Sequence, residues 1–535
     1  MLIEMAKVEL YDTTLRDGTQ MEGISLSVED KLKIARKLDE LGVHYIEGGW
    51  PGSNPKDAEF FVRARSLKLN NAKLAAFGST RRAGTKADQD PNLRALIDAG
   101  TPVVTIVGKA HLRHVTDILE TTPEENLAMI ADSVRFLKSH GLTVFFDAEH
   151  YFDGYFYDRH YALQCLMAAA KAGADCVVLC DTNGGTITSQ VYKVVKDTVE
   201  TVGVPVGIHA HNGADLAVAN TLAAVEAGAL HVQGAINGYG DMCGNANMIS
   251  LIANLQLKMG IRLVTDEQLR MLTEVSRFVS EVANLPPNPR QPYVGSAAFA
   301  HKAGLHAAGV AKAPWSYQHI DPALVGNETR FLVSELSGSH GLLTKLREQG
   351  LEVDREEARH LLEKVKIMES RGYQYEGAEA SLELLARRHH PNYEPPFELV
   401  DFMVVERRHP GQGDRDMLSE AVVKVRVGDE IIHTAAEGNG PVNALDTAVR
   451  RALVQFYPSL EAVRLVDYKV RIIDPGHGTA ASVRVLIEST DGQEHWTTVG
   501  ASTDIIEASW LALADSLEYW LVKRGAGQNP VSRPA

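Results

Sequence analysis

Short apolar runs alternate with amphipathic stretches through the first 260 residues. Eight of these runs have the length and β-branched content of buried strands: Val8–Asp12, Tyr45–Gly49, Leu74–Gly78, Val103–Val107, Val144–Ala148, Cys176–Cys180, Val206–His209 and Val232–Ile236. Between them, stretches such as Val28–Leu41, Pro123–His140 and Ala214–Ala227 carry apolar residues at the three- and four-residue spacing of a helix face. Several end in glycine, as in Leu41-Gly42, Ala99-Gly100, Ala172-Gly173 and Ala227-Gly228, where a helix takes its C-terminal cap. Eight strand–helix units in this length predict an α/β fold, the (β/α)8 or TIM barrel. A doubly wound sheet would place a G-x-G-x-x-G turn after its first strand, and the chain has none there.

The pattern changes at Leu285-Pro286-Pro287-Asn288-Pro289, a stiff linker. From there to about residue 390 the chain reads as mostly helical and charged, until a second break at His390-Pro391-Asn392-Tyr393-Glu394-Pro395-Pro396. The remainder contains a weak internal repeat. Strands Leu399–Glu406, Ala421–Val427 and Ile431–Ala436 precede a helix at Asn443–Gln455; strands Tyr468–Ile473, Ser482–Glu488 and Trp496–Val499 precede a helix at Asp504–Leu521. The expected organisation is a barrel at 1–284, a helical linker region at 285–394 and an α+β domain of two β-β-β-α units at 395–525. The last domain reads either as a dimerisation module or as a regulatory domain for a small ligand.

A length of 535 residues fits a barrel with smaller domains attached. The formal charge of −15 argues against nucleic-acid binding, which needs clustered positive charge. Cys165, Cys176, Cys180 and Cys243 match no zinc-ribbon or disulfide spacing, which points to reduced thiols in a cytoplasmic protein. No signal-peptide layout opens the sequence, and no apolar run approaches the roughly 20 residues of a membrane-spanning helix. A soluble, cytoplasmic protein without a membrane partner is expected.

Barrel chemistry sits at the C-terminal ends of the strands. The first strand leads into Asp12-Thr13-Thr14-Leu15-Arg16-Asp17-Gly18-Thr19-Gln20, and the seventh ends in His209-Ala210-His211-Asn212. Residues two apart on a strand share a face, so His209 and His211 can both address one metal ion. Asp17 supplies an oxygen ligand once the barrel closes. The Asn237–Asn245 loop after the eighth strand offers an amide oxygen. Two imidazoles and two oxygens with open positions suit Zn²⁺, Mn²⁺ or Mg²⁺.

Leu15-Arg16-Asp17-Gly18-x-Gln20 with Lys31 resembles the first signature of the isopropylmalate, homocitrate and citramalate synthase family, and His209–Asn212 resembles its second. The similarity continues in Cys180-Asp181-Thr182-Asn183-Gly184-Gly185, in Gly304-Leu305-His306, and in Tyr317 before Asp321-Pro322. It extends to Glu437–Ala444 and Ser502–Ala508 in the C-terminal repeat, which resembles that family's regulatory domain. One departure stands out. The family places Asp directly after H-x-H-N and glycine two residues later, whereas this chain has Gly213 and Asp215. That puts in doubt a carboxylate that would orient a metal ligand.

The resemblance implies a Claisen condensation of acetyl-CoA with a 2-oxo acid. Within it, Gly48–Pro55 and Asn237–Gly240 are most similar to the citramalate-forming branch, which implies pyruvate as acceptor and a role at the entry to isoleucine biosynthesis. The alternatives are 2-oxoisovalerate as acceptor, as in isopropylmalate synthesis, or a metal-dependent barrel lyase. A divalent metal on Asp17, His209, His211 and Asn245 would chelate the acceptor. Arg16 would bind the keto oxygen, and Thr182 the carboxylate. Glu149 is the first candidate for the enolising base, and His306 with Tyr317 the second. Asp181 reads as structural; His111, His114, His150 and His301 read as packing or surface residues, and Cys243 as loop packing. A homodimer and an isoleucine effector at the C-terminal domain complete the expectation.

Overall fold

A computed structural model describes residues 7–525 apart from 303, 333–341, 343–345, 348–350, 352, 391, 409–416 and 474. Two compact units emerge: Met1–Phe299 with His319–Thr329, and Ala300–Gln318 with Arg330–Ala535. The stretch between the first proline linker and the C-terminal repeat is therefore divided between them.

The first unit is a closed barrel of eight parallel strands: β1 (Glu9–Asp12), β2 (Tyr45–Gly49), β3 (Lys73–Ser79), β4 (Val103–Lys109), β5 (Thr143–Glu149), β6 (Cys176–Asp181), β7 (Val206–Ala210) and β8 (His231–Gly234). These are the eight runs read from the sequence, none displaced by more than two residues at either end. Closure comes from β1 against β8, with Glu9–Asp12 opposite His231–Gly234. Alternation divides the side chains between two layers. Tyr11, Tyr45, Ala75, Val103, Phe145, Cys176 and Val178 form one buried cluster inside the barrel. Their neighbours Leu10, Ile46, Ala76, Val104, Phe146, Val177, Ile208 and Val232 belong to the core between strands and helices.

Local chemistry sets the helix ends. The helix Val28–Leu41 starts at Ser27, whose hydroxyl accepts the Asp30 N–H while the Asp30 carboxylate accepts the Ser27 N–H; it ends at Gly42, with φ 90°. The helix expected from Ala214 begins instead at Ala217. Asp215 has φ 59°, which a helix cannot contain, and Asn212 Oδ1 accepts the Ala217 N–H at 3.1 Å.

In the second unit, β9 (Ala300–His301) and β10 (Arg330–Phe331) form a small parallel pair. The repeat appears as two three-stranded antiparallel sheets: β11 (Glu398–Arg408), β12 (Met417–Val427) and β13 (Glu430–Gly438), followed by the helix Pro441–Leu453; then β14 (Arg464–Ile472), β15 (Val483–Thr490) and β16 (His495–Ser502), followed by the helix Ile505–Lys523. One buried cluster joins both copies, including Val423, Val425, Leu445, Val485, Ile487 and Leu513. Equivalent threonines mark the duplication. Thr434 Oγ1 donates to the Ala448 carbonyl and Thr498 Oγ1 to the Ala512 carbonyl, each at 2.7 Å across 14 residues.

The barrel floor carries two histidines that resist protonation. Burial pushes His231 down to about 3, among the rings of Tyr11, Tyr45 and Phe145. Burial and Lys7 push His44 down to about 4, and its Nδ1 accepts the Leu10 N–H at 3.0 Å. The unfolded chain binds these protons near pH 6.5, so both groups stabilise the fold above that pH and lose the contribution as pH falls toward their folded values. Asp12, pushed by burial up to about 7, works in the opposite direction. The diagnostic is therefore a difference: urea midpoints measured from pH 7 down to pH 4 should decline less steeply in His44→Gln than in the parent. Identical slopes would remove His44 from the acid response.

Candidate metal and acid–base site

The same alternation that buries rings at the barrel floor places polar groups higher in the lumen. Glu47, Thr105, Asp147, His209 and Gln233 occupy inward positions of β2, β4, β5, β7 and β8. Above them stand Lys109 and Glu149, the last residues of β4 and β5. After β1 a tight turn forms, with the Arg16 and Gly18 N–H groups both donating to the Thr13 carbonyl. The turn brings Asp17 over the lumen.

Asp17 Oδ2 lies 3.2 Å from His209 Nε2 and 3.5 Å from His211 Nε2. Each ring is held from behind by an oxygen: His209 Nδ1 is 2.8 Å from Gln233 Oε1, and His211 Nδ1 is 2.8 Å from the Thr182 carbonyl. Gln233 is fixed in turn, its Nε2 donating to Asp147 Oδ1 at 3.1 Å. With both Nδ1 atoms donating, each Nε2 is turned toward the Asp17 carboxylate. Asn245 arrives because the loop after β8 pairs back onto the end of β7, through a bridge between His211 and Asn245 and an Asn212 N–H to Gly244 carbonyl bond of 2.8 Å. The loop needs glycine at 244, where φ is 88° and a Cβ would lie 2.0 Å from the Gly238 oxygen. Asn245 Nδ2 donates to Thr13 Oγ1, while Asn245 Oδ1 and Asp17 Oδ1 are buried without a hydrogen-bond partner. Two imidazole nitrogens, a carboxylate and an unpartnered amide oxygen make a donor set that fits a divalent cation.

Burial alone would raise the Asp17 carboxyl, but Arg16 and the two imidazoles hold it well below the usual range. His211 is pushed down by burial and, more strongly, up by Asp17, so it ends raised. The Asp17 carboxylate and the His211 imidazole thus favour each other's charged forms.

Arg16 is clamped on two sides. Its Nε donates to Glu47 Oε1 at 2.6 Å, Nη1 lies 3.2 Å from Asp17 Oδ2, and the guanidinium carbon stands 3.9 Å above the Phe77 ring centre. Glu47 is fully buried, and its Oε2 accepts the Tyr11 hydroxyl at 2.6 Å. Glu47 and Gln233 were not singled out by sequence reasoning. The available signal was their inward register position, an acid on β2 and an amide on β8, two residues above the lumen rings.

Glu149 ends β5 and forms an ion pair with Lys109, a third residue that sequence reasoning did not single out. Thr182 follows β6; its Oγ1 accepts the His150 N–H at 2.8 Å. Asp181 Oδ1 accepts the Thr186 hydroxyl, in keeping with its structural reading. His111, His114 and His150 lie together, with ring centres 5.0 and 4.1 Å apart in that order. Cys243 is exposed. His301, His306 and Tyr317 belong to the second unit, where the His306 and Tyr317 rings stack at 4.3 Å.

Gly213 has a physical reason. A Cβ there would lie 2.6 Å from the Asn183 carbonyl oxygen, and the Ala214 N–H donates to the Gly184 carbonyl at 2.8 Å. The loops after β6 and β7 therefore meet backbone to backbone. The orienting contacts to the imidazoles come from Gln233 and the Thr182 carbonyl.

Three family models match successive parts of the chain: HMGL-like over residues 7–279, homocitrate synthase post-HMGL domain-like over 293–372, and the LeuA allosteric (dimerisation) domain over 376–521. The (R)-citramalate synthases of Geobacter sulfurreducens and Aquifex aeolicus are each 53% identical, across 97% of this chain and 98% of theirs. A probable 2-isopropylmalate synthase of Methanopyrus kandleri is 35% identical, across 94% of this chain and 96% of its own. The extent of these matches, along a barrel that carries the Asp17, His209 and His211 cluster, shows that the chain belongs to the (R)-citramalate synthase family.

Proposed function

We propose that this protein condenses acetyl-CoA with pyruvate and water to give (R)-citramalate and CoA. The full-length relation to (R)-citramalate synthases carries this reading. Five of them share 48–53% identity with the chain, against 35% and 32% for two 2-isopropylmalate synthases and 32% for a further (R)-citramalate synthase.

A divalent cation held by Asp17, His209, His211 and Asn245 would supply Lewis-acid polarisation of the acceptor's keto group and a template for its binding. Arg16, fixed by Glu47 and Phe77, directs N–H groups at the keto oxygen, where negative charge develops as the new bond forms. The Thr182 oxygen accepts the His150 N–H, which leaves its own hydrogen for the acceptor's carboxylate. Glu149 takes a proton from the thioester methyl group, and the C–H electron pair becomes the enolate. The enolate carbon bonds to the keto carbon; the carbonyl π pair moves onto oxygen, which takes up a proton. Water then adds to the thioester carbonyl and the CoA thiol leaves. His306 with Tyr317 is a second acid–base pair for one of these proton transfers.

The C-terminal module serves as the homodimerisation and effector domain in this reading, with isoleucine as effector of an enzyme at the entry to its synthesis. The match to an allosteric dimerisation domain supports it, as do apolar side chains exposed on the outer strands, among them Val400 and Met403 of β11 and Val466 and Ile472 of β14. A cytoplasmic location is proposed. Among the described residues no helix is long and apolar enough to cross a membrane.

Two measurements test this function. Purified protein with acetyl-CoA and pyruvate should release CoA thiol, and EDTA should abolish the release; a preference for 2-oxoisovalerate in the same assay would reassign the acceptor. Gln233→Leu should leave the His209 Nδ1–H without its acceptor and weaken divalent-metal affinity about 10–100-fold in chelator competition. An unchanged affinity would remove Gln233 from metal positioning.

A further inference from the structure

β4 and β5 run in register to their last residues, and the final pair of that ladder is Lys109 opposite Glu149. Both end an inward-facing series. Thr105, four residues before Lys109, bonds the Tyr11 hydroxyl inside the barrel, and Asp147, two before Glu149, bonds Gln233 there. Lys109 and Glu149 therefore face the lumen at its mouth, with side chains 21% and 27% exposed. Lys109 Nζ pairs with the Glu149 carboxylate, its nearest oxygen being Oε2.

The lumen is rich in carboxyl groups, and its cations are divided among them. Arg16 serves Glu47 and Asp17, while Asp147, raised by burial and by Glu47, meets the Gln233 amide. Lys109 is the cation that meets Glu149. A glutamate side chain at an open mouth has three rotatable torsions, and a base must stand within hydrogen-bond reach of the proton it takes. An ion pair this exposed contributes little to folding, so its consequence is geometric.

We infer that Lys109 is a positioning residue for the condensation: it holds the Glu149 carboxylate at the barrel mouth and thereby presents it to the methyl group of the acyl thioester. The inference rests on Glu149 as the enolising base. Among the described residues the ion pair of Lys109 is with Glu149 and not with Asp17, His209 or His211, so it should govern the proton-transfer step and leave acceptor binding alone.

The test uses the full-length, metal-replete protein with Lys109→Met, Lys109→Arg and Glu149→Gln. Thiol release gives kcat and the KM for pyruvate; uptake of deuterium from D2O into the acetyl methyl group reports enolisation. Lys109→Met should lower kcat and methyl exchange about 100-fold, within the usual range for a general base. The KM for pyruvate should stay within about twofold, because uniform binding is untouched. Lys109→Arg should recover about tenfold of the loss, since it restores the cation with altered reach. Wild-type exchange in Lys109→Met, with exchange abolished in Glu149→Gln, would overturn the role of Lys109 and leave the base assignment standing. Wild-type exchange in Glu149→Gln would overturn the base assignment and this inference with it. A raised KM with unchanged kcat in Lys109→Met would place the lysine in substrate binding and also overturn it.

Discussion

One carboxylate and two imidazoles meet at one point near the top of the barrel, and contacts from several strands keep them there. Asp17 Oδ2 and the Nε2 atoms of His209 and His211 converge only because β1 closes against β8 and carries the Asp17 turn over the end of β7. Left alone, either ring could rotate or flip its proton to relieve the contact. Gln233 and the Thr182 carbonyl forbid this by occupying the far nitrogen of each ring. Asn245 joins from a loop whose turn requires glycine at 244. Asp17, His209 and His211 are thereby held together as a group that could take a metal ion.

The same principle organises the charges around it. Arg16 could neutralise Asp17 by turning fully onto it, which would take it out of its contact with Glu47. Glu47 prevents that by taking Nε, and Phe77 limits out-of-plane movement of the guanidinium. Glu47 is in turn saturated by Tyr11, whose hydroxyl also meets Thr105. A chain of short contacts thus runs from Thr105 and Tyr11 through Glu47 to Arg16, so the position of Arg16 is set by packing several residues away.

This layering explains what could be read from the sequence. The strands were legible because a parallel barrel buries both faces, giving eight apolar runs with few interruptions. Asp17, His209 and His211 were legible because polar residues clustered at strand ends are rare enough to notice, and Asn245 because it follows the last strand. Glu47, Gln233 and Lys109 were harder. Each is an ordinary polar residue inside or ending a run, and its partner lies on another strand, so its meaning depends on register and closure. Nothing local links Gln233 to His209, or Lys109 to Glu149; the link is the pairing of β7 with β8 and of β4 with β5. The helix displaced from Ala214 to Ala217 failed for a similar reason. Its start depends on the Asn212 side chain and a left-handed Asp215, which helical periodicity does not reveal.

The departure at Gly213 then falls into place. An aspartate there would need a Cβ where the Asn183 carbonyl already sits, 2.6 Å away. It would also add a carboxylate to a lumen that already holds Asp17, Glu47, Asp147 and Glu149 against Arg16 and Lys109. Using a backbone carbonyl and a neutral amide to orient the histidines achieves the same tautomeric control without more negative charge. It also ties the loop after β6 to the ligand on β7, because the residue whose carbonyl holds His211 is Thr182, the same residue whose hydroxyl faces the acceptor's carboxylate in the proposed reaction. Metal geometry and substrate orientation would then be coupled through one residue. Such coupling would run through the main-chain contact between two loops, which a glycine at 213 permits.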